Sequence, residues 1–162
     1  MIGFMGSGKS TVGRALAEHM QYAFLDTDSY IEAREGMTIP EIFEQKGESY
    51  FRELETTVLH ELLKNTHNTI VATGGGLPLA KENSNLLSQL GIVVYLKAGE
   101  DTIYNRVKDS GNRPLLQVEN PRQRIRELLA KRDGIYENVS DEVLVTDSLT
   151  IDQVIGKIRK LV

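Results

Sequence analysis

The first ten residues carry the pattern that most restricts this chain. Gly3-Phe4-Met5-Gly6-Ser7-Gly8-Lys9-Ser10 matches G-x-x-x-x-G-K-[ST] in full. Glycines let the backbone curl so that successive N–H groups point at phosphate oxygens. A helix starting at Ser10 presents its positive end to the same anion. Lys9 supplies a mobile charge for β- and γ-phosphates, and Ser10 a hydroxyl for Mg²⁺. An eight-residue match followed at once by helical sequence is more than a chance glycine turn. The strand feeding such a loop is normally central in its sheet. Only Met1-Ile2 precede Gly3, fewer than the roughly five residues of an ordinary strand. Either the first strand is truncated at the N-terminus or its start is misassigned.

Beyond the loop, helical periods alternate with short apolar strands, which implies parallel βαβ units. Strands are expected at Ala23–Leu25, Thr69–Ala72, Ile92–Leu96 and Val143–Val145. Between them lie helices from Ser10 to Met20, Asp28 to Arg34, Pro40 to Gln45, Ser49 to Lys64, Ala80 to Leu90, Glu100 to Val107, Pro121 to about Tyr136 and Ile151 to Leu161. Thr38 with Glu41 reads as a capping box. Phe51, Leu54, Val58, Leu59 and Leu62 share one helical face. Lys108 to Asn120 has no period and holds Gly111, Asn112 and Pro114, so a mobile loop is expected there. The 162 residues fit one domain.

Composition removes several functions. Apolar runs are too short to span a bilayer, and the start lacks the leader of a secretory signal. Cysteine is absent, which excludes disulfides, thiol nucleophiles and cysteine metal sites. A cytoplasmic protein without a membrane partner is expected. His19, His60 and His67 have no metal-ligand spacing. A net charge of −4 argues against a general nucleic-acid binder. The charge is uneven: residues 26 to 61 hold ten acids against three bases, whereas residues 104 to 136 hold eight bases against four acids. A basic segment in an acidic protein suits a small polyanion, although Arg122, Arg124 and Arg126 read as a solvated, salt-bridged face.

Four further features bear on what receives a phosphoryl group. Asp26-Thr27-Asp28 follows a strand, where α/β sheets bind ligands. One carboxylate can face Mg²⁺ and the other an acceptor hydroxyl, unless Asp28 merely caps the next helix. Arg52 and Glu55 share a helix face at i, i+3. Arg52 can grip a carboxylate with Glu55 fixing it from behind, or the two can form an exposed ion pair. Gly74-Gly75-Gly76 leaves bare backbone where a substrate can approach. Arg113 in the loop can close over a γ-phosphate, and Arg132 is a second candidate for an anionic group.

Taken in order, the phosphate loop, Asp26-x-Asp28, Phe51-Arg52-x-x-Glu55, Gly74-Gly75-Gly76, Arg113-Pro114-Leu115-Leu116 and Arg132-x-x-x-Tyr136 resemble shikimate kinase over almost the whole chain. The resemblance implies a three-layer α/β P-loop kinase fold related to nucleoside monophosphate kinases. Its parallel sheet would have five strands in the order 2-3-1-4-5, flanked by helices. A lid would span about 108–120 and a substrate-binding helical region about 28–64, within a single domain 1–162. The implied activity moves the γ-phosphoryl of ATP to the 3-hydroxyl of shikimate, with Mg²⁺ as cofactor. Gly6, Ser7, Gly8, Lys9, Ser10 and Thr11 would hold ATP phosphates, with Arg113 closing on them and Arg106 near the adenine. Ser10 would ligate the metal and Asp26 support it through water. Asp28 would bind the hydroxyls and take the proton of the attacking one. Arg52 and Arg132 would hold the carboxylate, and the turn of Gly74, Gly75 and Gly76 would border the ring. No nucleic-acid partner is implied, and a monomer is expected. One departure is Leu149, which stands where the family often has a polar residue near the adenine.

Two other functions share parts of this pattern. A gluconate or nucleoside monophosphate kinase would keep the phosphate loop and lid without needing every acceptor feature. A nucleotide-binding regulator that had lost turnover would have no use for Lys9, Asp28, Arg52, Arg113 and Arg132 together.

Overall fold

The computed structural model describes residues 1–108 and 118–161. Seven α-helices and four strands alternate through them: α1 Lys9–Met20, β1 Ala23–Asp26, α2 Thr27–Glu35, α3 Ile39–Asn65, β2 Thr69–Ala72, α4 Lys81–Leu90, β3 Val94–Lys97, α5 Glu100–Val107, α6 Pro121–Val139, β4 Glu142–Val145 and α7 Ile151–Ile158. A short 3₁₀ turn at Leu77–Leu79 follows β2. Arg113 and most of the anticipated lid lie outside the described residues.

The strands form two parallel pairs. β1 runs beside β2 with Ala23 opposite Thr69, and β3 beside β4 with Val94 opposite Glu142. Among the described residues four regular strands form, where five were expected. Met1-Ile2 lies between the pairs and is too short to count as a strand. It still bonds to both: Thr73 N–H donates to the Met1 carbonyl at 3.1 Å, Ile2 N–H to Val94 at 2.9 Å, and Leu96 N–H to Ile2 at 3.0 Å. Ile2 forms an isolated parallel bridge with Tyr95.

Strand side chains alternate between two helical layers. Val93 and Tyr95 enter the larger core with Phe51, Leu59 and Ile103, whereas Val94 and Leu96 pack with Leu16, Ile155 and Ile158. Ile92, expected inside a buried strand, is half exposed because β3 begins two residues later.

The two helices expected at 40–45 and 49–64 are both present within α3, which is divided by a non-helical Gly47 at φ 85° and ψ 164°. Its predicted apolar face is buried. Glu41 accepts from both the backbone and hydroxyl of Thr38, at 2.7 and 2.6 Å. The basic face of α6 is salt-bridged as anticipated: Arg122 pairs with Asp101, and Arg126 with Glu100 at 2.7 Å. No helix among the described residues is long and apolar enough to cross a membrane.

Candidate active site

The carboxyl ends of the strands and of Ile2 meet at one edge, and the phosphate loop opens there. Gly8 precedes α1 with φ 99°, a backbone that an L side chain would strain. Lys9 is nearly buried, and its ammonium donates to the carbonyls of Gly3 and Phe4, both at 2.9 Å. The Ser7 hydroxyl is buried and makes no hydrogen bond among the described residues. Arg106 donates to the carbonyls of Gly6 and Ser7, each at 3.2 Å. A cleft of about 620 Å³ opens over the loop, with Thr11, Asp28, Gly75, Arg106 and Leu149 on its walls.

Ser10 donates to Asp26 Oδ2 at 2.6 Å. The other oxygen of Asp26 accepts from Asp28 N–H at 3.1 Å and Ser29 N–H at 3.3 Å. Asp26, rather than Asp28, therefore caps α2. The Ser10 hydroxyl and Asp26 carboxylate form a two-oxygen site beside the loop. No cluster of three metal-binding side chains occurs among the described residues. The Ser10 hydroxyl and Asp26 carboxylate are hard oxygen donors and fit Mg²⁺, which takes few protein ligands and completes its shell with phosphate oxygens and water.

The triple-glycine turn stands opposite. Thr27, fully buried, accepts from the Gly74 N–H at 2.9 Å. A Cβ on Gly74 would stand 2.3 Å from Asp28 Oδ1, and one on Gly76 would stand 2.5 Å from Arg52 Nη1. A side chain at either position would displace the Asp28 carboxylate or the Arg52 guanidinium from the bare backbone each lies against. Gly75 packs on the phosphate loop, its Cβ position 3.4 Å from Met5 N.

The Arg52–Glu55 pair is not a solvated surface contact. Arg52 donates to Glu55 Oε2 at 2.7 Å and to Glu48 Oε1 at 2.9 Å, and Glu55 is only 1% exposed. Burial pushes the Glu55 carboxyl up to about 7 despite the opposing pull of Arg52, and the negative charges of Asp28 and Glu48 add to the rise. Glu55 Oε1 has no partner among the described residues. Arg132, on α6, lies over the Phe4 ring at 5.6 Å. One turn on, the Tyr136 hydroxyl donates to the Gly75 carbonyl at 2.6 Å.

The anticipated residues thus gather at one edge, with Arg113 outside the described residues. Two contributions escaped the sequence reading. Thr27 sits between the two aspartates that drew attention, and only the fold brings its hydroxyl to Gly74. Tyr136 belonged to a recognised pattern but had no assigned task. Arg106, expected near an adenine, lies on the phosphate-loop carbonyls.

A phosphate loop, a hydroxyl–carboxylate pair and an arginine-bearing acceptor side on parallel strands define the class: an α/β P-loop kinase of small molecules. The family model for shikimate kinase matches residues 5–162. The chain is 45% identical to a shikimate kinase of Ralstonia nicotianae over 97% of its own length and 82% of that protein's. Against a shikimate kinase of Thermodesulfovibrio yellowstonii it is 44% identical, over 99% and 91% of the two chains. It superposes on the shikimate kinase of Acinetobacter baumannii, solved in complex with shikimate, with a TM-score of 0.92 and 45% identity, covering 99% of this chain and 89% of that one. The chain belongs to the shikimate kinase family.

Proposed function

We propose that this chain transfers the γ-phosphoryl of ATP to the 3-hydroxyl of shikimate, giving shikimate 3-phosphate and ADP on the route to aromatic amino acids. The observation that carries the reading is the seating of Asp28 and Arg52 against one glycine turn, which itself packs on the phosphate loop. A hydroxyl reader and a carboxylate binder then face the phosphate donor.

The residues act as follows. Gly6 to Thr11 cradle the phosphates of ATP with their N–H groups. Lys9 exchanges its loop carbonyls for β- and γ-phosphate oxygens and neutralises charge that develops on transfer. Ser10 would hold Mg²⁺, with Asp26 supporting it through water, and the ion when bound would supply positive charge to the transferring phosphoryl group. Asp28 reads the shikimate hydroxyls and accepts the proton of the attacking one. Arg52, fixed by Glu55, grips the carboxylate together with Arg132, while Gly74, Gly75 and Gly76 lie along the ring. Arg113 reaches the phosphates from a lid over about 108–120. Arg106 and Leu149 border the adenine side of the cleft.

The finer architecture follows the same reading. With Met1-Ile2 counted as the first strand, its bonds to both pairs support a five-stranded parallel sheet in the order 2-3-1-4-5. A single domain, a monomeric state and a cytoplasmic location complete it.

The test is ADP release measured with ATP and Mg²⁺ in the presence of shikimate, of gluconate and of a nucleoside monophosphate. Release that depends on shikimate alone is expected. Release that depends on either competitor, or on no acceptor, would overturn the reading.

A further inference from the structure

We infer that Tyr136 is a positioning residue for acceptor binding, its phenol fastening the helix that carries Arg132 to the Gly75 carbonyl of the glycine turn. The inference rests on the acceptor reading above. Arg132 and Tyr136 are four residues apart on α6 and share a face. Tyr136 is fully buried and donates to Gly75 at 2.6 Å. Packing alone would be served by phenylalanine, since burying a hydroxyl is unfavourable unless it is bonded. Burial pushes the Tyr136 phenol up to about 12, so it stays a donor throughout the neutral range.

A second set of contacts fixes the same stretch of α6 from the other side. The Tyr95 ring on β3 lies 5.1 Å from that of Tyr136. Its hydroxyl donates to Asp133 Oδ1 at 2.6 Å, and Lys97 lies 3.2 Å from Asp133 Oδ2 and 2.8 Å from Glu137. Arg132 is therefore flanked by a residue tied to β3 and followed one turn on by a residue tied to the glycine turn. Because Gly75 packs on the phosphate loop, these bonds set the distance between carboxylate binder and phosphate donor. Side-chain placement of this kind matters because small displacements of a reacting group cost large factors in rate.

The experiment is steady-state kinetics of Tyr136→Phe, which keeps the ring and deletes the donor, and of Asp133→Ala at a partly exposed position. Tyr136→Phe should raise the KM for shikimate about tenfold with the KM for ATP within about twofold. Asp133→Ala should raise the same KM severalfold. With shikimate methyl ester, which lacks the charged group, Tyr136→Phe and the unmutated protein should have the same KM. A general structural role would instead raise both substrates' KM or handicap acid and ester alike, and either result would overturn the inference. So would a shikimate KM unmoved in both variants. If the unmutated protein fails to turn over shikimate, the acceptor reading falls and the inference with it.

Discussion

Lys9 keeps its ammonium inside its own loop, on the carbonyls of Gly3 and Phe4. Lys9→Ala should lower kcat about a hundredfold or more with an unchanged circular dichroism spectrum. Asp28, on the first turn of α2 and against Gly74, should behave differently from Arg52. Asp28→Asn retains size and some hydrogen bonding but removes the proton acceptor, so kcat should fall far more than binding. Arg52→Ala removes a charged two-pronged contact of about 1.5–3 kcal/mol. The shikimate KM should rise by about an order of magnitude or more, with the ATP KM little changed. Arg52→Lys should rescue only part of the loss, because an ammonium cannot form the fork. Glu55 makes a separate prediction about stability. Burial raises its folded-state pKa to about 7 from an ordinary 4.5. The folded protein then binds more protons than the unfolded chain between those values. This contribution is fully present below pH 4.5 and is lost as pH rises through about 7. Glu55→Gln should flatten that slope, read from denaturant midpoints across the range. An unaltered slope would mean that Glu55 ionises normally in the fold.

At the scale of elements, the glycine turn is the joint between donor and acceptor sides. Gly76→Ala places a methyl where the Arg52 guanidinium lies, and the long side chain can swing away. The fold should survive while the shikimate KM rises about tenfold or more, and ATP binding should hold. Equal losses for both substrates would place the damage in the phosphate loop instead. The kink in α3 is a contrasting case. Gly47 has φ 85° and ψ 164° with open space around it, a backbone region essentially reserved for glycine, so Gly47→Ala meets no clash but costs about 1–3 kcal/mol of backbone strain. The denaturant midpoint should drop with the kinetics unchanged. These elements were legible to different degrees. The break near Gly47 could be read because glycine interrupts an apolar helical period, and the Thr38–Glu41 cap because its chemistry is local. That Asp26 and not Asp28 caps α2 was not legible, since two aspartates two residues apart satisfy the same local rule and the helix's start at Thr27 decides between them. The burial of Glu55 was equally hidden, because i, i+3 spacing looks the same on a solvated face and against a packed turn.

At the scale of the whole molecule, parallel βαβ order was readable from alternating periods, and the place of the site followed from the strands' carboxyl ends. What local sequence could not supply was the meeting of distant segments. Thr27 reaches Gly74 across 47 residues, and Tyr136 reaches Gly75 across 61. Neither leaves a periodic signal, because each bond depends on how two helices lean over one turn. The same convergence underlies the central claim that a carboxylate-bearing alcohol is held beside the phosphate loop. The most direct test is steady-state ADP release by the unmutated protein with shikimate and with shikimate methyl ester. The acid should be phosphorylated with a KM at least about tenfold below that of the ester, the difference expected for one charged bidentate contact. If the ester serves as well as the acid, Arg52 and Arg132 hold no carboxylate, and the acceptor assignment is contradicted.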